Sequence, residues 1–229
     1  MMSFGARAAA FGLVLSGLMA GAPALAQSAS PMTFSVVPTG NPAQCGNRCV
    51  KVISAQGEIV SNTPERFLEL IRRQGARDRN MRAVVFVDSP GGLVVSSMRL
   101  GLLFRQLGAA VVVGRVSPGG GPNQFLSANC ASACVYALMG AKKRVVPPQS
   151  RLVLHRMYAF ESFGGSGQEG SSLQKTYSNA ELAGKLQQYA RMMGVSPDVV
   201  RAAESIQPES IKVVSQAELR RWRLAVPEF

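Results

Sequence analysis

The chain contains a single histidine, His155, so any chemistry that needs an imidazole must use that residue. It closes the apolar run Leu152-Val153-Leu154. Upstream stands a serine framed by cysteines, Cys130-Ala131-Ser132-Ala133-Cys134, and a serine hydroxyl becomes an effective nucleophile only when a base takes its proton. Further upstream the apolar run from Ala83 to Val87 ends in Asp88-Ser89-Pro90-Gly91-Gly92, a turn whose glycines can present bare backbone N–H groups to a developing oxyanion. Nucleophile, base and oxyanion donors therefore occur as three separated parts of a serine hydrolase site.

Each part also has a plainer reading. A serine at the start of an apolar helix, here Ala133 to Met139, commonly serves only as an N-cap; the same position exposes its hydroxyl and adds the N–H of Ala133 as a second oxyanion donor. Ser-Pro-Gly-Gly occurs twice, at 89–92 and 117–120. Only the first copy lies between a buried strand and an amphipathic helix, where the helix N-terminus favours negative charge. A lone histidine after an apolar strand is commonly structural, and it is the co-occurrence of the three parts that singles His155 out.

The elements that must position these groups alternate. Thr63-Pro64-Glu65 opens a helix, with Thr63 as cap and Pro64 at its first position. The run Ala83–Val87 is apolar on both faces, as a buried parallel strand requires. Leu93, Met98, Leu102, Leu103 and Leu107 line one side of a helix that stops at Gly108. Strand 110–113, a glycine-rich loop, the helix after Ser132 and strands near 144–146 and 151–155 continue the pattern. Strand, helix and strand again predict an α/β core. A Gly/Ser-rich loop from Phe163 to Ser172 leads into an expected long helix, Leu173 to Met193, followed by helices over 197–205 and 216–222.

The 229 residues carry 25 Lys and Arg against 13 Asp and Glu, a net charge of +12. No zinc-finger, helix-turn-helix or aromatic-platform signature accompanies that excess, which argues against a nucleic-acid partner and leaves solubility or attraction to anionic envelope surfaces. Residues 1–26 combine Arg7, an apolar stretch from Ala8 to Ala20, Pro23 and the small-residue end Ala24-Leu25-Ala26. That is the pattern of a secretory signal peptide, too short to span a bilayer. The expected organisation is a signal peptide at 1–26, a flexible or edge-lying lead-in at 27–44 and one domain over 45–229. Four cysteines in an exported chain point to disulfides, with three connectivities open. The local pairings Cys45–Cys49 and Cys130–Cys134 are the most economical; a four-thiolate zinc site is the alternative, disfavoured because the second pair brackets Ser132.

Taken together these segments resemble the Clp protease proteolytic subunit and its wider crotonase-like superfamily. Asp88 to Gly92 is similar to that family's glycine oxyanion turn and Ala131-Ser132-Ala133 to its nucleophile segment. The most specific stretch is Gly140-Ala141-Lys142-Lys143-Arg144-Val145-Val146-Pro147, then an apolar strand ending in His155. Weaker similarity continues through Met193 to Ser196 and Val214 to Glu218. The closest likeness is to exported, Clp-protease-like periplasmic proteins, in which a serine between two cysteines is typical.

The resemblance implies a crotonase/ClpP-like α/β fold with a repeated β-β-α core and additional C-terminal helices. It implies Ser132 as nucleophile, His155 as base and the N–H groups of Gly91 and Ala133, with Gly92 in the same turn, as oxyanion hole. It further implies a peptide or other acyl substrate, a homo-oligomer, a periplasmic location, and no metal or cofactor. The family's catalytic aspartate falls between Gln207 and Ile211, where this chain has none; Glu209 is the nearest carboxylate and Ser210 a polar substitute. No ATP-dependent unfoldase is expected outside the cytoplasm. Three other readings stand beside the exported serine peptidase: a non-catalytic scaffold that self-associates, acyl-CoA chemistry through the same oxyanion hole, and a Ser–Lys dyad using Lys142 or Lys143.

Overall fold

A computed structural model describes residues 30–74, 81–117, 125–163 and 172–228. The signal segment and the second Ser-Pro-Gly-Gly glycines lie outside them. The chain opens with strand β1 (Thr33–Thr39), the short helix α1 (Pro42–Cys45), strand β2 (Val50–Gln56) and helix α2 (Thr63–Gln74). Strand β3 (Met81–Asp88), helix α3 (Val94–Gln106) and strand β4 (Ala110–Val113) follow. Then come β5 (Arg115–Val116), β6 (Phe125–Leu126), β7 (Asn129–Ala131) and helix α4 (Cys134–Gly140). Strands β8 (Lys143–Val145), β9 (Arg151–Leu154), β10 (Tyr158–Phe163) and β11 (Ser172–Tyr177) lead to α5 (Ala180–Met192) and α6 (Asp198–Glu204). Strand β12 (Lys212–Val213) and helix α7 (Gln216–Arg221) complete the chain.

The main sheet has the order β1-β2-β3-β4-β8, parallel except for the antiparallel β1. Its central strands β3 and β4 are apolar on both faces because both are covered. Val85 and Val87 enter the large core with Phe67, Leu100 and Phe104. Phe86, Val112 and Val145 form a smaller cluster. A second sheet, β12-β9-β7, continues through single bridges from Cys130 to Ser89 and from Gly92 to Ile59. Each turn of the chain thus contributes a main-sheet strand, a second-sheet strand or bridge, and a helix: β3, Ser89, α3; then β4, β7, α4; then β8 and β9. This is the repeated β-β-α core of an α/β protein.

Of the two readings of the lead-in, the edge-lying one describes it from Thr33 onward: it is a strand paired residue by residue with β2 at the edge of the main sheet, because Phe34, Val36 and Val37 supply the apolar positions an edge strand needs. One expectation is corrected. The long helix does not begin at Leu173: β10 and β11 pair as an antiparallel hairpin. Helix α5 begins only after Asn179, whose side chain caps it by accepting from the N–H of Leu182. An N-cap there sets the start of the helix, and the residues before it pair with β10 instead.

Arg144, the fixed point of the most specific motif, is a structural tie. Its guanidinium donates to the carbonyls of Leu224 at 2.8 Å, Ala141 at 2.9 Å and Arg223 at 3.0 Å, fastening β8 to the end of α4 and the C-terminal segment. Helices α3 and α4 cross at a glycine pair. A Cβ on Gly140 would sit 2.1 Å from the carbonyl oxygen of Gly101, so Gly140→Ala is expected to cost about 1–3 kcal/mol, the range for overpacking a core. Gly184 in α5 faces open space, and Gly184→Ala should instead stabilise by up to about 1 kcal/mol through helix propensity. Urea denaturation of the two variants checks both signs.

Candidate active site

Strands β7 and β9 run parallel with Ala131 opposite Val153, so the residues that follow them emerge at the same edge of the second sheet. Those residues are Ser132 and His155. The N–H of Ser132 donates to the carbonyl of Val153 at 2.9 Å, fixing one strand end to the other. Ser132 has φ 55°, a left-handed conformation uncommon outside glycine and found at strained functional turns. It marks a sharp strand-to-helix turn of the kind that lifts a serine hydroxyl clear of the sheet.

The four sulfurs are joined locally, Cys45 to Cys49 and Cys130 to Cys134. The second bond closes the loop that contains Ser132, and both its cysteines are fully buried. So small a loop contributes at most about 2 kcal/mol through chain entropy. The double variant Cys130→Ala/Cys134→Ala should therefore stay folded by circular dichroism while its Ser132 reacts more slowly with an active-serine probe.

The glycine turn lies directly against the serine: a Cβ on Gly91 would be 2.7 Å from Ser132 Cβ and 3.1 Å from the nitrogen of Ala133. The carbonyl of Gly91 accepts from the N–H of Ile59 at 2.7 Å. Because a trans peptide is planar, the N–H of Gly92 points the opposite way. No described residue accepts it, nor the N–H of Ala133. The N–H of Gly91 is committed, donating to Ser89 Oγ at 3.1 Å. The Ser89 hydroxyl thus closes a local turn onto Gly91, and of the two glycines named for the oxyanion turn it is Gly92 whose N–H has no acceptor among the described residues.

His155 is half-buried, and its Nδ1 lies 2.7 Å from the carbonyl oxygen of Arg156. A carbonyl can only accept, so Nδ1 carries a proton in this contact, and in the neutral imidazole Nε2 is then the basic nitrogen. The ring packs beside that of Tyr158, centroids 5.4 Å apart. Ser132, His155 and Gly92 line one cavity of about 760 Å³, a size suited to a small ligand or a few residues of peptide.

Strand β12 runs antiparallel to β9 with Lys212 opposite Leu154, which carries residues 209–211 past the imidazole. Glu209, Ser210 and His155 accordingly line a smaller adjoining recess. The carboxylate of Glu209 nevertheless accepts from Lys175 Nζ at 2.7 Å and Tyr177 Oη at 3.0 Å. Those two hydrogen bonds, Lys175 first, hold it below the usual carboxylate range. Among the described residues no hydrogen bond joins it to His155: both of its hydrogen bonds fall on Oε1, from Lys175 and Tyr177 of the hairpin.

Lys142 and Lys143 are exposed at the start of β8, where Lys143 pairs with Ala110 in the main sheet. Neither lines the cavity of Ser132. Sequence reasoning missed the hairpin, whose Tyr158, Thr176 and Tyr177 form a wall of that cavity. Its one available signal was the β-branched and aromatic pair Thr176-Tyr177, read as helix.

No protein-family profile matches the chain, and no curated protein matches it. Two solved structures of similar fold are forms of the 1510-N membrane-bound stomatin-specific protease. A serine-to-alanine mutant has TM-score 0.46 and 16% identity, covering 75% of this chain and 75% of that one. A lysine-to-alanine mutant in complex with a substrate peptide has TM-score 0.46 and 16% identity, covering 76% and 72%. Among the described residues no helix is long and apolar enough to cross a membrane.

Proposed function

We propose that this chain is an exported serine hydrolase acting on peptide or other acyl bonds. The observation that supports it best is the convergence at one cavity of a left-handed serine, the unaccepted N–H of Gly92 and an imidazole whose Nδ1 is held by a carbonyl. In this reading Nε2 of His155 takes the proton of Ser132 Oγ as the oxygen attacks the acyl carbon. The N–H groups of Gly92 and Ala133 stabilise the oxyanion. The imidazolium then protonates the leaving group, and water attacks the acyl-enzyme by the same route in reverse. The carbonyl of Arg156 takes over the orienting part of a triad acid, without its charge.

Labelling by a fluorophosphonate, which phosphonylates an activated serine, tests the reading. Wild type should label at Ser132, while Ser132→Ala and His155→Ala should not. A second reading, the self-associating scaffold, draws support from the exposed side chain of Glu209 and replaces the first if wild type does not label.

Export with cleavage after Ala26, a periplasmic location and self-association belong to the same proposal. Two disulfides favour an oxidising compartment. Helix α5 exposes Leu182 and Met192, apolar surface of the kind a second copy covers. Light scattering of the mature protein should give a mass at least twice that of the monomer; a monomer at all working concentrations would remove self-association from the proposal.

A further inference from the structure

We propose that Glu58 is a specificity residue of this cavity, receiving the ammonium or guanidinium of a Lys or Arg side chain on a bound peptide. The inference rests on the hydrolase reading only in making that peptide a substrate.

Ile59 is fully buried and bridged to Gly92 of the oxyanion turn. Side chains alternate along an extended segment, so Glu58 faces the other way, and it lines the cavity that holds Ser132 and His155. The residue is half-buried. Its main chain is fixed on both sides, the N–H donating to Ser30 at 2.8 Å and the carbonyl accepting from Met32 at 2.6 Å.

Its carboxylate stands apart among the described side chains. The chain has nearly two basic residues for every acidic one. Among the described side chains, every carboxylate other than Glu58 and the near-terminal Glu228 is paired with a Lys or Arg. An acid with no cation among the described residues, amid such an excess, is an acceptor for one that arrives with a ligand, and a partly buried charge gains most from such a partner. Leu93, Val94 and Leu182 line the same cavity. They offer apolar surface to the methylenes of a Lys or Arg stem while its head reaches Glu58.

The test measures binding and activity separately. Ser132→Ala protein is titrated by fluorescence anisotropy with three pools of acetylated hexapeptides, carrying Lys, norleucine or Glu at one fixed position and randomised elsewhere. The Lys pool should bind about tenfold tighter than the norleucine pool, the contribution of one charge-assisted hydrogen bond. Glu58→Gln should abolish that preference, and Glu58→Lys should transfer it to the Glu pool. Glu65→Gln, which removes a surface acid paired with Arg99, should leave it intact. Equal binding of the three pools, no binding of any, or a preference that survives Glu58→Gln overturns the proposal. Fluorophosphonate labelling of the wild type separates the two claims. Labelling without a charge preference keeps the hydrolase and removes the role of Glu58; a charge preference without labelling does the reverse.

Discussion

Ser132→Ala and His155→Ala are each expected to lower hydrolysis of an activated ester or peptide by about 10⁴-fold or more, to a common floor, and the double variant to fall no further. The reason is that the two side chains act in one proton transfer. Without Nε2 the Ser132 hydroxyl stays protonated, and without the hydroxyl the imidazole has nothing to deprotonate. The residual rate should come from the N–H groups of Gly92 and Ala133, which neither substitution removes. Glu209→Gln should cost less than about tenfold, because its carboxylate is bonded to Lys175 and Tyr177 and the ring is oriented by the carbonyl of Arg156. The check is kcat/KM for the four variants against wild type. Additive losses in the double variant would show that Ser132 and His155 do not work as a unit, and a loss at Glu209 as large as at His155 would restore it as the triad acid.

The sequence disclosed the parts of this site more fully than their arrangement. His155 was legible because it closes the apolar strand Leu152–Leu154, and Ser132 because it opens an apolar helix; the strand Asn129–Ala131 that sets Ser132 beside β9 was not, since three residues of mixed polarity carry no strand pattern. The disulfides were legible as the most economical pairing because the cysteines of each pair stand only four residues apart. Which glycine of the turn offers its N–H was not legible, since that depends on the direction of one peptide plane, set by Ile59 from a distant segment. The role of Glu209 was obscured for a similar reason: spacing brings it to the imidazole, but the competing cation, Lys175, comes from a hairpin that reads as helix. Residues 173–178 lack the strict alternation that would have separated strand from helix. Their pairing with β10 is a tertiary choice.

Gly91→Ala is expected to disable the site while leaving most of the fold in place. Gly91 has φ 111°, where an L side chain is strained, and the new Cβ would meet the carbonyl oxygen of Ala131 and Ser132 Cβ, each at 2.7 Å. Both atoms belong to the segment that presents the nucleophile, and the bond between Cys130 and Cys134 restricts how far that segment can retreat. The turn must therefore move instead, and with it the peptide that carries the N–H of Gly92. Loss of one oxyanion donor costs about 10²–10³-fold in kcat, and displacement of Ser132 adds to it. Gly108→Ala supplies the control. Gly108 also has a positive φ, 67°, but a Cβ there meets nothing within 4 Å. It should lose about 1–2 kcal/mol of stability from backbone strain alone with normal fluorophosphonate labelling. Gly91→Ala should fold, by circular dichroism and a cooperative melt, yet label at least about 100-fold more slowly than wild type. Labelling at the wild-type rate would mean that the glycine turn does not form the oxyanion hole, and the proposed mechanism would lose the group that stabilises its transition state.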